Sequence, residues 1–293
     1  MMYAHSVISE KRPTLAERRG NPVAAMLCAI VLATLLTSTD FAQAEPAVSS
    51  TFGQQDAESA SPTRVLIVTG EDIASHKWPL TSQVLKRQIE KDERLAVDVL
   101  DDLTKLASTN LADYAVVVLH FKNYDPHVPG RTAFDELRQY VEGGGGLVLV
   151  HFACGAFQEF KKDFGALAGR VWNPTFRAHD RRGKFRVNMT DVDHVITRGM
   201  KSFDNAVDEL YTCLDGDAPI VILATAVSKV DQKTYPMAFV LEYGKGRVFH
   251  SVLGHDATVF ENEGVGQFYR RGATWAAGLE LDAIPQAAEA AQE

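Results

Sequence analysis

The sequence predicts an α/β fold, with a doubly wound, mainly parallel sheet and helices on both faces. Three observations predict it. Short runs rich in Val, Ile and Leu recur without polar alternation, as strands covered on both faces require. Segments with apolar residues at helical spacing fall between them, giving a βαβαβαβ order. Right-handed crossovers then place helices on both sides of the sheet.

Residues 64–69 (RVLIVT) form a buried strand ending at Gly70. In 79–91, Leu80, Val84, Leu85 and Ile89 share one helical face, and Pro79 suits a first turn. Residues 95–100 (LAVDVL) alternate as an edge strand would. Residues 114–119 (YAVVVL) make another buried strand, ending at His120. Residues 131–142 make a helix facing in through Phe134, Leu137 and Val141. Next comes the segment that organises the rest, 143–157 (GGGGLVLVHFACGAF). Its apolar run, 147–150, reads as a central strand, and a helix is expected over about 157–167. The second half is less regular. Strands are expected at 184–189 and 220–224, a hairpin at 236–243 and 246–252 around Gly244-Lys245, and a closing helix at 267–277.

A chain of 293 residues with 46% hydrophobic content can bury one large core, here expected over 63–280. The formal net charge of −8, with no basic run in the folded part, argues against a nucleic-acid partner, so none is expected. Small polar substrates remain, and a homo-oligomer is left open. Residues 1–44 read as an export signal. Lys11, Arg12, Arg18 and Arg19 precede an apolar stretch over 22–36, and Ala42-Gln43-Ala44 fits cleavage before Glu45. The alternative is an uncleaved anchor. Cleavage implies a periplasmic or secreted protein with no stable membrane span and with Cys28 lost. Residues 45–62 read as a flexible linker and 281–293 as a loose tail. Cys154 and Cys213 then remain, and two cysteines make no disulfide framework.

Ligands of parallel sheets sit beyond the carboxyl ends of the strands. His120 and His151 close two strands, His76 follows the first, and His250 and His255 lie in and after the last. Three readings follow. The first is a divalent metal such as zinc on His151, His179 and His255, with Glu209 as a fourth ligand or a base. No HExxH or similar spacing supports it. The second is a nucleophilic Cys154 at a strand-to-helix turn. The full G-x-C-x-G pattern is absent, and a small buried thiol is the favoured alternative. The third is sugar binding without turnover, by stacking on Trp78, Tyr124, Trp172 and Phe176 in expected loops. Asp193-His194 is expected to order a turn before Ile196.

The segments RVLIVTGEDIASHKW, LADYAVVVLHF, YVEGGGGLVLVHFACGAF, DVDHVITRGM, DELY, PMAFVLEYGKGRVFHSVLGHD and RRGATWAAG occur in that order over 64–278. In them the chain resembles the ThuA-like (trehalose-utilisation) family of the class I glutamine amidotransferase-like superfamily. The resemblance implies a flavodoxin-like three-layer α/β/α sandwich and a place in disaccharide or oxidised-sugar catabolism. It carries over His76, His151, His179, Glu209 and His255 as pocket residues. Amidotransferase relatives use a Cys-His-Glu triad at the strand-helix elbow. Cys154 lies near that elbow without the full motif, which argues against glutaminase activity. The expectation is a hydrolase, lyase or isomerase of a sugar or keto-sugar derivative. His151, His255 and Glu209 would be catalytic, and His76, Trp78, Tyr124 and Cys154 would contact substrate.

Overall fold

A computed structural model describes residues 61–282. The expected signal segment, its cleavage site, nearly all of the linker and nearly all of the tail lie outside the described residues. Among the described residues no helix is long and apolar enough to cross a membrane.

The strands are β1 (Thr63–Val68), β2 (Leu95–Leu100), β3 (Val116–Leu119), β4 (Gly146–Val150), β5 (Arg186–Met189), β6 (Phe203–Asp204), β7 (Val221–Val227), β8 (Thr234–Tyr243) and β9 (Gly246–Ser251). They form one sheet in the order β2-β1-β3-β4-β9-β8-β7-β5-β6. The five strands from β2 to β9 pair in parallel, and β8, β7, β5 and β6 extend the sheet antiparallel. The edge position expected for β2 is where the strand lies.

The helices are α1 (Trp78–Ile89), α2 (Gly130–Glu142), α3 (Lys161–Ala168), α4 (Ala257–Glu261) and α5 (Glu263–Ala276). Successive side chains of a strand point to opposite faces, and here both faces are covered. Val65, Ile67, Val148 and Val150 pack in one core with Leu85 of α1 and Phe268 of α5. Leu66, Val68, Leu147 and Leu149 pack in the other with Phe134 of α2 and Phe164 of α3. That two-sided burial explains the unbroken apolar runs. Gly146 is required by close approach, because a Cβ there would collide with the Ala276 carbonyl at the end of α5.

Several boundaries differ from expectation. Phe157 adopts φ 49°, so no helix starts there. The Asn123 side chain accepts its N–H at 2.8 Å instead, and α3 begins at Lys161 after short 3-10 turns at His151–Gly155 and Gln158–Phe160. The closing helix starts earlier, because the Asn262 side chain caps the Gly264 and Val265 amides. Trp78, expected in a loop, is the first residue of α1.

Candidate active site

β4 ends at Val150, and His151 follows with φ 48°, in the left-handed region that side chains enter at a cost. The sharp turn after the central strand therefore belongs to His151. Its ring is fully buried, and Nδ1–H donates to the Val252 carbonyl at 2.7 Å. A carbonyl only accepts, so that contact puts a proton on Nδ1 and turns Nε2 inward. This Nε2 lies 3.5 Å from Oε2 of Glu209.

His76 arrives on the loop after β1. Its Nδ1 is hydrogen-bonded to the Asp72 carboxylate, and its ring stacks on Phe152 with centroids 4.6 Å apart. The other nitrogen, Nε2, is 3.8 Å from Oε2 of Glu209. His255 follows β9. Asp208, fully buried, accepts the Gly254 and His255 amides at 3.1 Å each and Nδ2 of Asn205 at 2.9 Å. Gly254 has φ 136°, and a Cβ there would strike the Phe260 ring, so the loop needs glycine. His255 Nδ1 then stands 3.3 Å from Oε1 of Glu209.

The donor atoms of His76, His151, Glu209 and His255 all lie within 4.8 Å of one another. His76 Nε2, His151 Nε2 and His255 Nδ1 are buried and make no hydrogen bond among the described residues. Buried polar atoms left this way are costly, typically about 1–3 kcal/mol each. Three of them around one carboxylate fit a cation held between them. Asp72 and the Val252 carbonyl bind the outward nitrogens of His76 and His151, the arrangement that orients imidazole ligands at metal centres.

Charge in the cluster is shared. Burial opposes the positive form of His76, but the Asp72 and Glu209 carboxylates outweigh it and raise its pKa to about 9. Burial likewise opposes the charge on Glu209, and the facing His151, His255 and His76 overcome it, holding the carboxyl well below its usual range. Cys154 is different. Burial pushes its thiol up to about 12, so at neutral pH it is a protonated, weak nucleophile.

A cavity of about 150 Å³ opens onto the cluster. His76, Glu209, Cys154 and Tyr211 line it, with His179, Lys122, Tyr124 and Trp172 in its wall. His179 belongs to the rim. Its side chain is 36% exposed, its Nδ1–H donates to the Asp180 carbonyl at 2.8 Å, and Nε2 is 3.7 Å from Oε1 of Glu209.

The structure therefore brings together His76, His151, His179, Glu209 and His255, with Cys154 and Tyr124 beside them. The compact donor set contains His76, where the sequence suggested His179. Trp78 is not among the residues lining the cavity, nor is the half-exposed Phe176. His120 is held between the Thr69 and Thr81 hydroxyls, and burial lowers its pKa to about 3. His250 bonds to the Ala168 carbonyl against Phe239. His194 accepts the Ile196 amide at 3.2 Å, the turn expected there. Among the described residues Cys154 and Cys213 form no disulfide. Sequence reasoning missed Asp72, Asp208 and Lys122. Asp72 stands four residues before His76, and Asp208 sits in the DEL string that was read for its glutamate.

The fold recurs among known proteins. The family model described as trehalose utilisation, ThuA, matches residues 64–276. A ThuA-like protein from Parabacteroides merdae superposes with a TM-score of 0.66 at 25% identity, over 77% of this chain and 94% of that one. One from Bacteroides uniformis gives 0.60 at 16% identity, over 76% and 95% of the two chains. A cytoplasmic protein from Salmonella typhimurium shares the fold, with a TM-score of 0.53 at 13% identity over 73% and 99%. No curated protein matches the chain.

Proposed function

The chain belongs to the ThuA (trehalose utilisation) family and has a carbohydrate-related role; from that premise we propose that it is an exported, divalent-metal-dependent enzyme acting on a sugar or keto-sugar derivative. One observation carries the reading. Three buried imidazole nitrogens without hydrogen-bond partners among the described residues turn toward the same carboxylate.

His76, His151, His255 and Glu209 would hold the ion, and imidazole with carboxylate suits zinc. Such an ion supplies Lewis acidity toward a carbonyl or hydroxyl oxygen. The protein's own groups do the rest. Asp72 and the Val252 carbonyl keep His76 and His151 in the tautomer that presents Nε2 inward. His151 is fully buried, which suits a ligand better than a proton carrier. His179 suits proton transfer, because it stands at the rim with Nδ1 committed to Asp180 and Nε2 free to accept. A proton next to a carbonyl would move to that nitrogen. Trp172 and Tyr124 offer ring faces at the mouth to a pyranose. Export rests on the leader-like residues 1–44 and predicts a mature chain beginning at Glu45, readable by mass measurement.

The test is metal analysis of the purified protein with turnover of 3-keto-disaccharides before and after chelation. About one zinc per chain and chelator-sensitive turnover are expected, both lost in His151→Ala. Turnover unchanged in that variant removes His151 from the catalytic site. Sugar binding that survives chelation without any turnover would favour a binding protein, the reading supported by the aromatic mouth alone. A Cys154 hydrolase is disfavoured by the buried, protonated thiol.

A further inference from the structure

Lys122 follows His120 and Phe121 beyond the end of β3, and it is the only lysine or arginine among the described residues lining the cavity. Its backbone is pinned by an N–H bond to the Glu71 carbonyl at 3.0 Å. Its stem lies against Gly155, where an added Cβ would come within 3.0 Å of the lysine Cδ. Gly155 thus leaves room for that stem. The ammonium is held 4.1 Å from the centre of the Trp172 ring and 5.2 Å from that of Tyr124. Among the described residues no carboxylate pairs with it, although Arg131, Lys161 and Arg177 on neighbouring segments all have acidic partners. Aromatic faces attract a cation and accept no charge-assisted hydrogen bond. Its three donors therefore remain available to whatever enters the cavity.

Deepening the carbohydrate reading above, and resting on it, we propose that Lys122 anchors an anionic substituent, so that the substrate is an acidic sugar derivative. Neutral hydroxyls could satisfy one donor, but a carboxylate or phosphate ester also matches the charge. Trp172 and Tyr124 hold the ammonium in place before the ligand arrives, which reduces the ordering cost of the contact. Lys122 is a specificity-determining residue, and the proton chemistry remains with the histidines.

The test uses calorimetric titration of the zinc-loaded mature protein with glucose, glucuronate and glucose 6-phosphate. At least one acidic probe should bind tenfold or more tightly than glucose, and the preference should shrink as salt rises. Which acid wins separates a carboxylate from a phosphate substrate. In Lys122→Met the preference should fall to within twofold, and Lys122→Arg should restore most of it. Equal affinity of the wild type for all three probes overturns the anchor and leaves the carbohydrate reading standing. A preference that persists in a folded Lys122→Met also overturns it. Should Lys122→Met fail to fold, a wild-type preference that ignores salt is the overturning result. Binding of none of the three by protein that still turns over 3-keto-disaccharides overturns the anchor alone, and absence of that turnover as well overturns the proposed function with it.

Discussion

His151 Nε2 faces Glu209 Oε2 across 3.5 Å, and no hydrogen bond joins the two atoms. The Val252 carbonyl holds a proton on Nδ1, so in the neutral ring both facing atoms would be acceptors. Such a pair is stable only with a positive species between or beside it. Adding zinc to the metal-free protein should therefore raise Tm, by a free energy of about 2.7 kcal/mol at a hundredfold excess over Kd. In His151→Ala the zinc-induced shift should disappear, as read by calorimetry.

Asp72 acts through His76. Asp72→Asn removes the carboxylate that holds the Nδ1 proton but keeps a side chain of similar size. Zinc affinity should fall about 10–100-fold without being abolished, measured by competition with a chromophoric chelator. Full retention would mean that the Asp72–His76 pair serves folding alone.

A pH dependence follows from His76. Its folded-state pKa of about 9 lies above the ordinary 6.5. The charged ring therefore favours the folded state fully below about pH 6.5 and loses that contribution as pH rises through 9. In the metal-free protein, the Tm gap between wild type and His76→Gln should narrow over that window. Zinc requires the same nitrogen deprotonated, so its affinity should rise across the same range.

Cys154 should be inert in the native state. With its thiol held up to about 12, iodoacetamide should leave its peptide unmodified under conditions that alkylate the more exposed Cys213, as read by peptide mass mapping. Cys154→Ser should keep zinc binding and most of the turnover. Loss of turnover with metal retained would restore the nucleophile reading.

Strand positions were legible because burial on both faces leaves unbroken apolar runs such as VVVL and GLVLV. The turn at Phe157 was not, because its backbone answers to the distant Asn123 side chain. For the site, strand ends told which loops would meet but not which imidazoles would. His120 follows a strand and His250 lies within one, yet both turn into the packing, against Thr69 and Ala168. His76 and His255 come from loops whose paths depend on Asp72, Asp208 and Gly254. Side-chain direction there is a tertiary property, with no period in the sequence to reveal it.

The latch made by Asp208 sits one peptide bond from Glu209. A single short stretch of chain thus delivers one donor and fixes the position of a second, on the loop after β9, the strand at which pairing switches from parallel to antiparallel. Slippage of that stretch would carry Glu209 and His255 away in concert. The basin should accordingly fail all at once, with half-assembled forms sparsely populated.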